Sequence, residues 1–217
     1  MTLNSPNTLK TSGFTYHPEA GYSTLAFEDL WPSKGDYDFN DLVVEYQFKT
    51  ATDASNNITE IVGTFIFRAV GAGAKNGFGF ELTGLGLYVD STDVTGHSVM
   101  GGGSYISSTD GWEDGQSSAV VIVADDVTEV LPLWSNTSGY GGITKPAEIV
   151  TITITPKFGV EIDSTAFSIT ELNFNPFMII DYENNGRGRE VHKLDYPPTS
   201  LADLSLFGTE DDYSSST

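Results

Sequence analysis

The stretch at residues 27–44, FEDLWPSKGDYDFNDLVV, sets a crowded group of oxygen-bearing side chains between two apolar runs. The group consists of Glu28, Asp29, Asp36, Asp38, Asn40 and Asp41. Carboxylates this close repel one another in water, so a fold that gathers them needs a cation to offset the repulsion. Because hard oxygen ligands favour calcium, the stretch predicts a calcium site at the edge of a β-sheet.

The residues on either side of this stretch follow the period of two that is typical of β-strands. Residues 22–27 alternate in polarity and deliver Glu28 and Asp29 to the end of a strand. Residues 42–48 predict a second strand, with Val44, Tyr46 and Phe48 on one face. The acidic stretch is therefore predicted to be a loop between two strands.

Further strand patterns recur along the chain, separated by polar segments rich in turn residues. The predicted strands are residues 58–70, 81–89, 119–124, 149–154, 166–169 and 175–181. Residues 125–131 predict one helical turn, and residues 199–206 predict a short helix capped by Thr199 or Ser200. Long polar connections cover residues 90–118 and 136–145. The predicted fold class is all-β, an antiparallel β-sandwich with long loops and one or two short helical turns.

The 217 residues are predicted to form a single β-sandwich domain at residues 14–208. A hydrophobic content of 39% and an aromatic content of 12% are sufficient for a core. Residues 1–13 are polar and predict an extended lead-in or tail. Residues 209–217 are acidic and rich in serine, which predicts a flexible tail.

The charge balance restricts the partners of the protein. Ten basic residues face thirty acidic ones, which gives a net charge of −20. Such a surface repels phosphate backbones and anionic lipid, so we expect no nucleic-acid partner. No apolar run approaches the roughly eighteen residues of a membrane span, and residues 1–13 lack the pattern of a signal peptide. We expect no direct membrane insertion, and an extracellular location in salty or calcium-containing surroundings.

The chain has no cysteine, so disulfides, thiol catalysis and thiolate metal ligands are excluded. The three histidines, His17, His97 and His192, lie outside the metalloprotease and nucleophile-elbow motifs. Pairs of acids that could serve a glycosidase are too numerous to be specific. We therefore expect a protein that is not an enzyme.

The spacing of Asp36, Asp38 and Asn40 matches the first three side-chain ligands of an EF-hand loop. The remainder of that motif is missing, because Asp41 occupies the glycine position, Gln47 occupies the glutamate position, and the flanks predict strands. We therefore predict a β-loop calcium site with Asp36, Asp38 and Asp41 as ligands. Glu28, Asp29 and Asn40 would contact the ion or hold its ligands. In the alternative interpretation these acids cap turns and face solvent.

A second polar segment follows the predicted strand 175–181. Asp181 and Glu183 could add metal ligands, although an acidic hairpin tip explains them equally well. The next polar residues could form a clamp for an anion or a carboxylate, or an internal ion pair with the acidic loops. These residues are Arg187, Arg189, Glu190 and His192. Trp112 and Tyr140 lie in or beside long loops, where aromatic rings can stack on sugars or pack the loop.

Residues 27–44 as a block closely resemble the signature of the LruC domain, a family of bacterial secreted and surface-protein domains. The run from Asn175-Pro176-Phe177 through residues 187–192 to residues 196–199 and 206–208 is similar to the second block of that family. Residues 50–170 match only in general β character. The resemblance implies a jelly-roll-like sandwich on a lipoprotein, secreted protein or adhesin. It also implies a metal loop at Asp36, Asp38, Asn40 and Asp41, with Glu28 and Asp29 beside it.

The resemblance further implies another aromatic-containing strand after residues 207–212, where this sequence reads Tyr213 and then SSST. We expect a calcium-dependent ligand-binding or adhesion module of a bacterial extracellular or cell-surface protein. A glycan is the first expected ligand and a peptide the second. The alternatives are a glycan-cleaving hydrolase on the same scaffold and a structural spacer that calcium stiffens.

Overall fold

The computed structural model describes residues 12–99, 108–138, 142–157, 162 and 174–209. The predicted strand at 166–169, most of the lead-in and nearly all of the tail lie outside these residues. In chain order the strands are β1 (Gly13–His17), β2 (Ser23–Phe27), β3 (Leu42–Thr52), β4 (Ile58–Val70), β5 (Gly77–Leu82), β6 (Val94–Thr95), β7 (Ala119–Ala124), β8 (Glu148–Ile154), β9 (Phe174–Ile179) and β10 (Glu190–His192). The helices are α1 (Val127–Val130) and α2 (Tyr182–Asn185), and single 3₁₀ turns occupy Ser91–Asp93 and Leu204–Leu206.

The first sheet has the strand order β1-β3-β4-β8-β6, and all its pairings are antiparallel. The long strand β3 carries two partners on one edge: β1 pairs with its second half and β2 with its first half. The pairing of β2 with β3 ends at Phe27 and Leu42. Residues 28–41, which we call the acidic loop, therefore connect two paired strands at one corner of the sheet.

The second sheet has the order β10-β9-β5-β7 and is also antiparallel. Its strands β5, β7 and β9 are buried along their whole length. One face packs on the first sheet, and a smaller cluster of Val120, Ile122, Phe177 and Ile179 lies under Val99 and Tyr182. Burial on both faces explains why residues 119–124 form a continuous apolar run.

The main core lies between the two sheets. Alternate residues of β3, including Val44, Tyr46 and Phe48, point into it. The Phe48 ring packs against Phe65 of the same sheet and against Phe80 and Phe174 of the second sheet, with centroids 4.9–5.8 Å apart. Offset and edge-on contacts of this kind add to the stabilisation from buried apolar area. The prediction of an all-β antiparallel sandwich is confirmed.

Most predicted elements occur where the sequence placed them, and a few differ. Residues 58–70 and 119–124 coincide with β4 and β7, and α1 lies within residues 125–131. The strand predicted at 81–89 is wrong beyond Leu82, because Gly84 has a left-handed φ of +86° and Leu85 N–H turns back to the carbonyl of Leu82. Residues 199–206 form two separate turns instead of one helix: Thr199 accepts the Leu201 N–H through its hydroxyl and the Ala202 N–H through its carbonyl, and Asp203 caps the 3₁₀ turn Leu204–Leu206. No helix in the described part of the chain is both long and apolar enough to cross a membrane.

Candidate metal centre and adjoining cavity

Two carboxylates at the base of the acidic loop hold its backbone in place. Asp41 accepts a hydrogen bond from the Asp29 N–H at 2.7 Å, and Glu28 accepts one from the Phe39 N–H at 2.5 Å. The loop is also tied to the end of β4, because the Gly71 N–H donates to the Asp41 carbonyl at 3.1 Å. These bonds join the end of the loop to its beginning, next to β2, and so bring acids from both ends of the loop close together.

Three carboxylates of this loop converge on one point. One oxygen from each of Glu28, Asp36 and Asp38 lies within 4.8 Å of the other two. Asp36 and Asp38 are exposed and Glu28 is partly buried, with its Oε2 atom lacking a hydrogen-bond partner. Gly35 makes the approach possible, since a Cβ there would lie 2.5 Å from Glu28 Oε2. This spacing suits a single cation with oxygen ligands.

The remaining predicted ligands lie beside this group. Asp38 accepts hydrogen bonds from the backbone of Asn40 at 3.2 Å and from its side-chain amide. A small cavity of about 180 Å³, which we call the acidic cavity, is lined by all six predicted oxygen-bearing side chains of the loop. The structure thus brings Glu28 into the converging group and places Asp29 and Asp41 at the base of the loop.

The electrostatics of the loop disfavour a full set of charges. Burial raises the pKa of Glu28, and the charges of Asp36 and Asp38 raise it further. Burial also raises the pKa of Asp29, and the negative charge of Asp181 adds to that increase. Burial raises the pKa of Asp41 to about 7. Partial burial and like charges thus act in the same direction, which is the condition that a bound cation relieves.

A buried amide links this loop to the second acidic segment. Asn76 is fully buried; its Nδ2 donates to Asp29 at 3.3 Å and its Oδ1 accepts from the Asp181 N–H at 2.9 Å. Sequence reasoning missed Asn76, because its glycine-rich surroundings indicated only a turn. The amide fixes where Asp181 lies relative to the acidic loop.

Among the described residues, the converging group of carboxylates does not include Asp181 or Glu183. Asp181 precedes α2 with a left-handed φ of +46° and accepts hydrogen bonds from the Asn184 amide at 2.9 and 3.0 Å. Glu183 forms an ion pair with Lys75 at 2.9 Å. Asp181 acts on Asp29 through its charge, whereas the Glu183 carboxylate is already balanced by a cation.

The second polar segment forms an internal network around Arg187. Its guanidinium binds Glu113 through two nitrogens, at 2.5 and 2.6 Å, and also binds Glu190. Glu190 contacts His192 at 2.6 Å and accepts the Thr199 N–H at 3.0 Å. Burial would raise the pKa of Glu190, but the His192 hydrogen bond and the Arg187 charge outweigh it and lower that pKa to about 2. Of the two alternatives left open by the sequence, the described contacts are those of an internal ion pair.

The other predicted ligand-binding residues have separate surroundings. Arg189 donates from Nε to the Trp31 carbonyl at 2.8 Å and so ties the start of β10 to the acidic loop. Trp112 is partly buried, packs against the main core and bridges to Val121. Tyr140 lies outside the described residues.

A larger cavity of about 480 Å³, which we call the aromatic cavity, lies on the other side of the acidic loop. Tyr37 and Phe39 line it, whereas their neighbours Asp36, Asp38 and Asn40 line the acidic cavity. Tyr37 and Phe39 have left-handed φ values of +59° and +52°, and about half of each side chain is exposed. Sequence reasoning missed these two rings, although the alternation of acids and aromatics in DYDFN is a visible signal.

Comparisons with known proteins agree with this architecture. The model of the family described as "Domain of unknown function (DUF4842)" matches residues 56–217. A crystal structure of a protein described as a "Putative lipoprotein" from Bacteroides ovatus superimposes with a TM-score of 0.61 at 22% identity. The match covers 92% of this chain and 60% of that protein's chain, so the chain spans about three fifths of its length. No curated protein matches the sequence.

Proposed function

The chain belongs to the DUF4842 family, and we propose that it is a calcium-dependent ligand-binding or adhesion module of a bacterial extracellular or cell-surface protein. The observation that carries this proposal is the convergence of Glu28, Asp36 and Asp38 oxygens within 4.8 Å. A glycan is the proposed ligand class. The module binds its ligand without cleaving it.

The choice of calcium follows from the chemistry of the converging side chains. They offer only carboxylate oxygens, which are hard ligands, and Asp36 and Asp38 are exposed, so water can complete a coordination shell of about six to eight oxygens. Magnesium demands tighter octahedral geometry, and zinc prefers nitrogen or sulfur ligands. An ion at this point would offset the two effects that raise the pKa of Glu28, its burial and the repulsion from Asp36 and Asp38.

The proposed location has three supports. The Bacteroides ovatus protein of similar fold is described as a lipoprotein, and residues 27–44 resemble the signature of the secreted and surface-exposed LruC domains. The net charge of −20 also suits surroundings in which salt and divalent cations screen the protein. The LruC assignment stays a prediction beside the DUF4842 match.

A thermal-shift experiment tests the metal site. Saturating calcium should raise the Tm of EDTA-treated protein by roughly 5–10 °C, because an ion present at about a hundred times its Kd and bound only to the folded state adds about 2.7 kcal/mol. Asp36→Asn combined with Asp38→Asn should abolish the shift, whereas Glu148→Gln, an exposed acid on β8, should retain it. An unchanged Tm in millimolar calcium would contradict the proposal.

A glycan array read with calcium and with EDTA tests ligand binding. Binding that requires calcium supports the module, and a calcium-dependent Tm without any glycan or peptide ligand supports the structural spacer instead. Release of reducing sugar from a bound glycan would identify a hydrolase. Each result selects one of the functions that the sequence left open.

A further inference from the structure

We infer that the aromatic cavity holds a neutral hexopyranose residue of a glycan, with Tyr37 and Phe39 as the wall on which the sugar ring packs. The inference rests on the proposed function, because calcium on one side of the acidic loop would fix the aromatic rings on its other side. It names the place and the chemical class of the ligand.

The wall is apolar and accessible. Tyr37 and Phe39 are 52% and 51% exposed although they line a cavity, and Trp31 and Pro32 continue the same lining. Exposed aromatic rings beside a concavity are the usual partners of the C–H face of a pyranose, which they cover without the entropy loss of a long flexible side chain. The volume of about 480 Å³ lies within the range of small-ligand sites.

Polar groups for the hydroxyls come from the edges of the two sheets. Four consecutive residues of β2 (24–27), the last two residues of β10 (191–192) and the two residues that follow it (193–194) line the cavity, so it lies between the two strands. Among the described strands, β2 pairs only with β3 and β10 only with β9. Edge strands of this kind present both N–H and C=O groups, and a sugar hydroxyl can donate and accept.

An extended peptide could use the same edges by adding a strand to the sheet. However, β10 has only three residues, and the chain turns directly after it, where the Tyr196 N–H donates to the Lys193 carbonyl. The ladder available to a peptide on that side is therefore short. The aromatic wall and the short edges together favour the sugar.

The charges around the cavity select a neutral sugar. Glu28 lines both cavities, and Asp36 and Asp38 alternate along the chain with the two aromatic residues of the wall. One bound calcium ion would offset only two of these three negative charges. Lys193 also lines the aromatic cavity, but its ammonium lies over the Tyr196 ring at 5.1 Å from the centroid. In a protein with a net charge of −20, a uronic acid would meet repulsion that a neutral hexose avoids.

Isothermal titration in saturating calcium tests this site with neutral gluco-, manno- and galacto-oligosaccharides and with oligogalacturonate. Tyr37→Asn and Phe39→Asn are suitable changes, because asparagine tolerates the left-handed backbone of both positions. Each should weaken binding of the neutral sugar about tenfold. Ala26→Trp, which places a large side chain in the cavity from β2 and leaves the sequence of the loop unchanged, should abolish binding, and Leu87→Ala, an exposed side chain elsewhere, should leave it unchanged.

The calcium-induced Tm shift of each variant separates the two proposals. A retained shift without binding of any neutral sugar overturns the cavity assignment and leaves the metal site standing. Sugar binding that is lost in Ala26→Trp but independent of calcium supports the cavity and overturns its calcium dependence. Preference for oligogalacturonate, or sugar binding that survives Ala26→Trp, Tyr37→Asn and Phe39→Asn unchanged, overturns the inference.

Discussion

Glu28 shows how single residues of the acidic loop serve two surfaces at once. It lines both cavities, accepts the Phe39 N–H, and contributes an oxygen to the converging carboxylates. These groups can come so close because two contact positions are glycines, one within the loop and one beside it. Gly35 admits Glu28, and Gly71 admits Asn40. Substitutions at such positions report directly on the geometry of the loop.

Replacement of Gly71 by alanine should destabilise the protein by about 1–3 kcal/mol, because the new methyl group must displace packed atoms. A Cβ at this position would lie 1.9 Å from Asn40 Oδ1 and 2.8 Å from the Asn40 carbonyl oxygen. Gly73→Ala is the matched control, since nothing lies within 4 Å of its Cβ. Urea denaturation of both variants measures the difference, and equal stability of the two would contradict the close packing of Asn40 on Gly71.

Asp41 should make the metal-free protein less stable as pH rises. Its pKa in the folded protein is about 7, above the ordinary 3.8, so the folded state holds the proton more tightly than the unfolded chain does. The stability that this group contributes is full below pH of about 4 and is lost as pH rises towards 7. The raised pKa values of Glu28 and Asp29 act in the same direction. The lowered pKa of Glu190, about 2, affects stability only at more acidic pH.

The measurement is the Tm in EDTA at a pH of about 5.5 and of about 8. We expect a lower Tm at the higher pH, and Asp41→Asn should flatten the difference. Calcium should restore the Tm mainly at the higher pH, because metal ligands must be deprotonated. A Tm in EDTA that rises with pH over this interval would contradict the raised pKa of Asp41.

At the scale of the elements, the sequence predicts strands whose pattern is local. It does not predict contacts between segments that are distant along the chain. The apolar residues of β4 and β7 alternate or run continuously, so their limits follow from the sequence. The sequence around strand β10 is a cluster of charges, because the buried Glu190 is paired with Arg187, which is itself mostly buried. The partner of that arginine, Glu113, lies 74 residues away. Spacing along the chain carries no information on such a pair.

The ion pairs of Arg187 with Glu113 and Glu190 should contribute strongly to the stability with which β10 is held in the fold. The Arg187→Met variant would leave the carboxylates of Glu113 and Glu190 without their cation, although these side chains are only 2% and 0% exposed. Leaving a buried charge unpaired lowers the free energy of unfolding by about 3–5 kcal/mol. Arg68→Met removes an ion pair with Glu45 in which the two side chains are 46% and 26% exposed, and it should cost less than about 1 kcal/mol. Urea denaturation compares the two variants. A smaller loss for Arg187→Met than for Arg68→Met would show that the buried pair is dispensable.

At the scale of the whole molecule, the sequence gathers the acids of the predicted metal loop but does not fix the distances between them. Composition and the DxDxN spacing predicted a metal loop at a sheet edge, and Asp36 and Asp38 do converge. The third converging group is Glu28, from the other end of the loop, because the pairing of Phe27 with Leu42 brings the two ends together. The aromatic cavity arises from two edge strands of different sheets, and only the tertiary fold places those side by side.

The net charge of −20 allows a test that separates general screening from a specific site. Sodium chloride should raise the Tm of the EDTA-treated protein modestly, because a Debye length of about 10 Å at 0.1 M screens surface repulsion. Calcium chloride at the same ionic strength should raise the Tm further, since a bound ion stabilises only the folded state. The additional shift should vanish in Asp36→Asn combined with Asp38→Asn, while the sodium effect remains. If sodium chloride alone reproduced the full shift, calcium would be acting as a counterion over the surface and the acidic loop would bind no ion of its own.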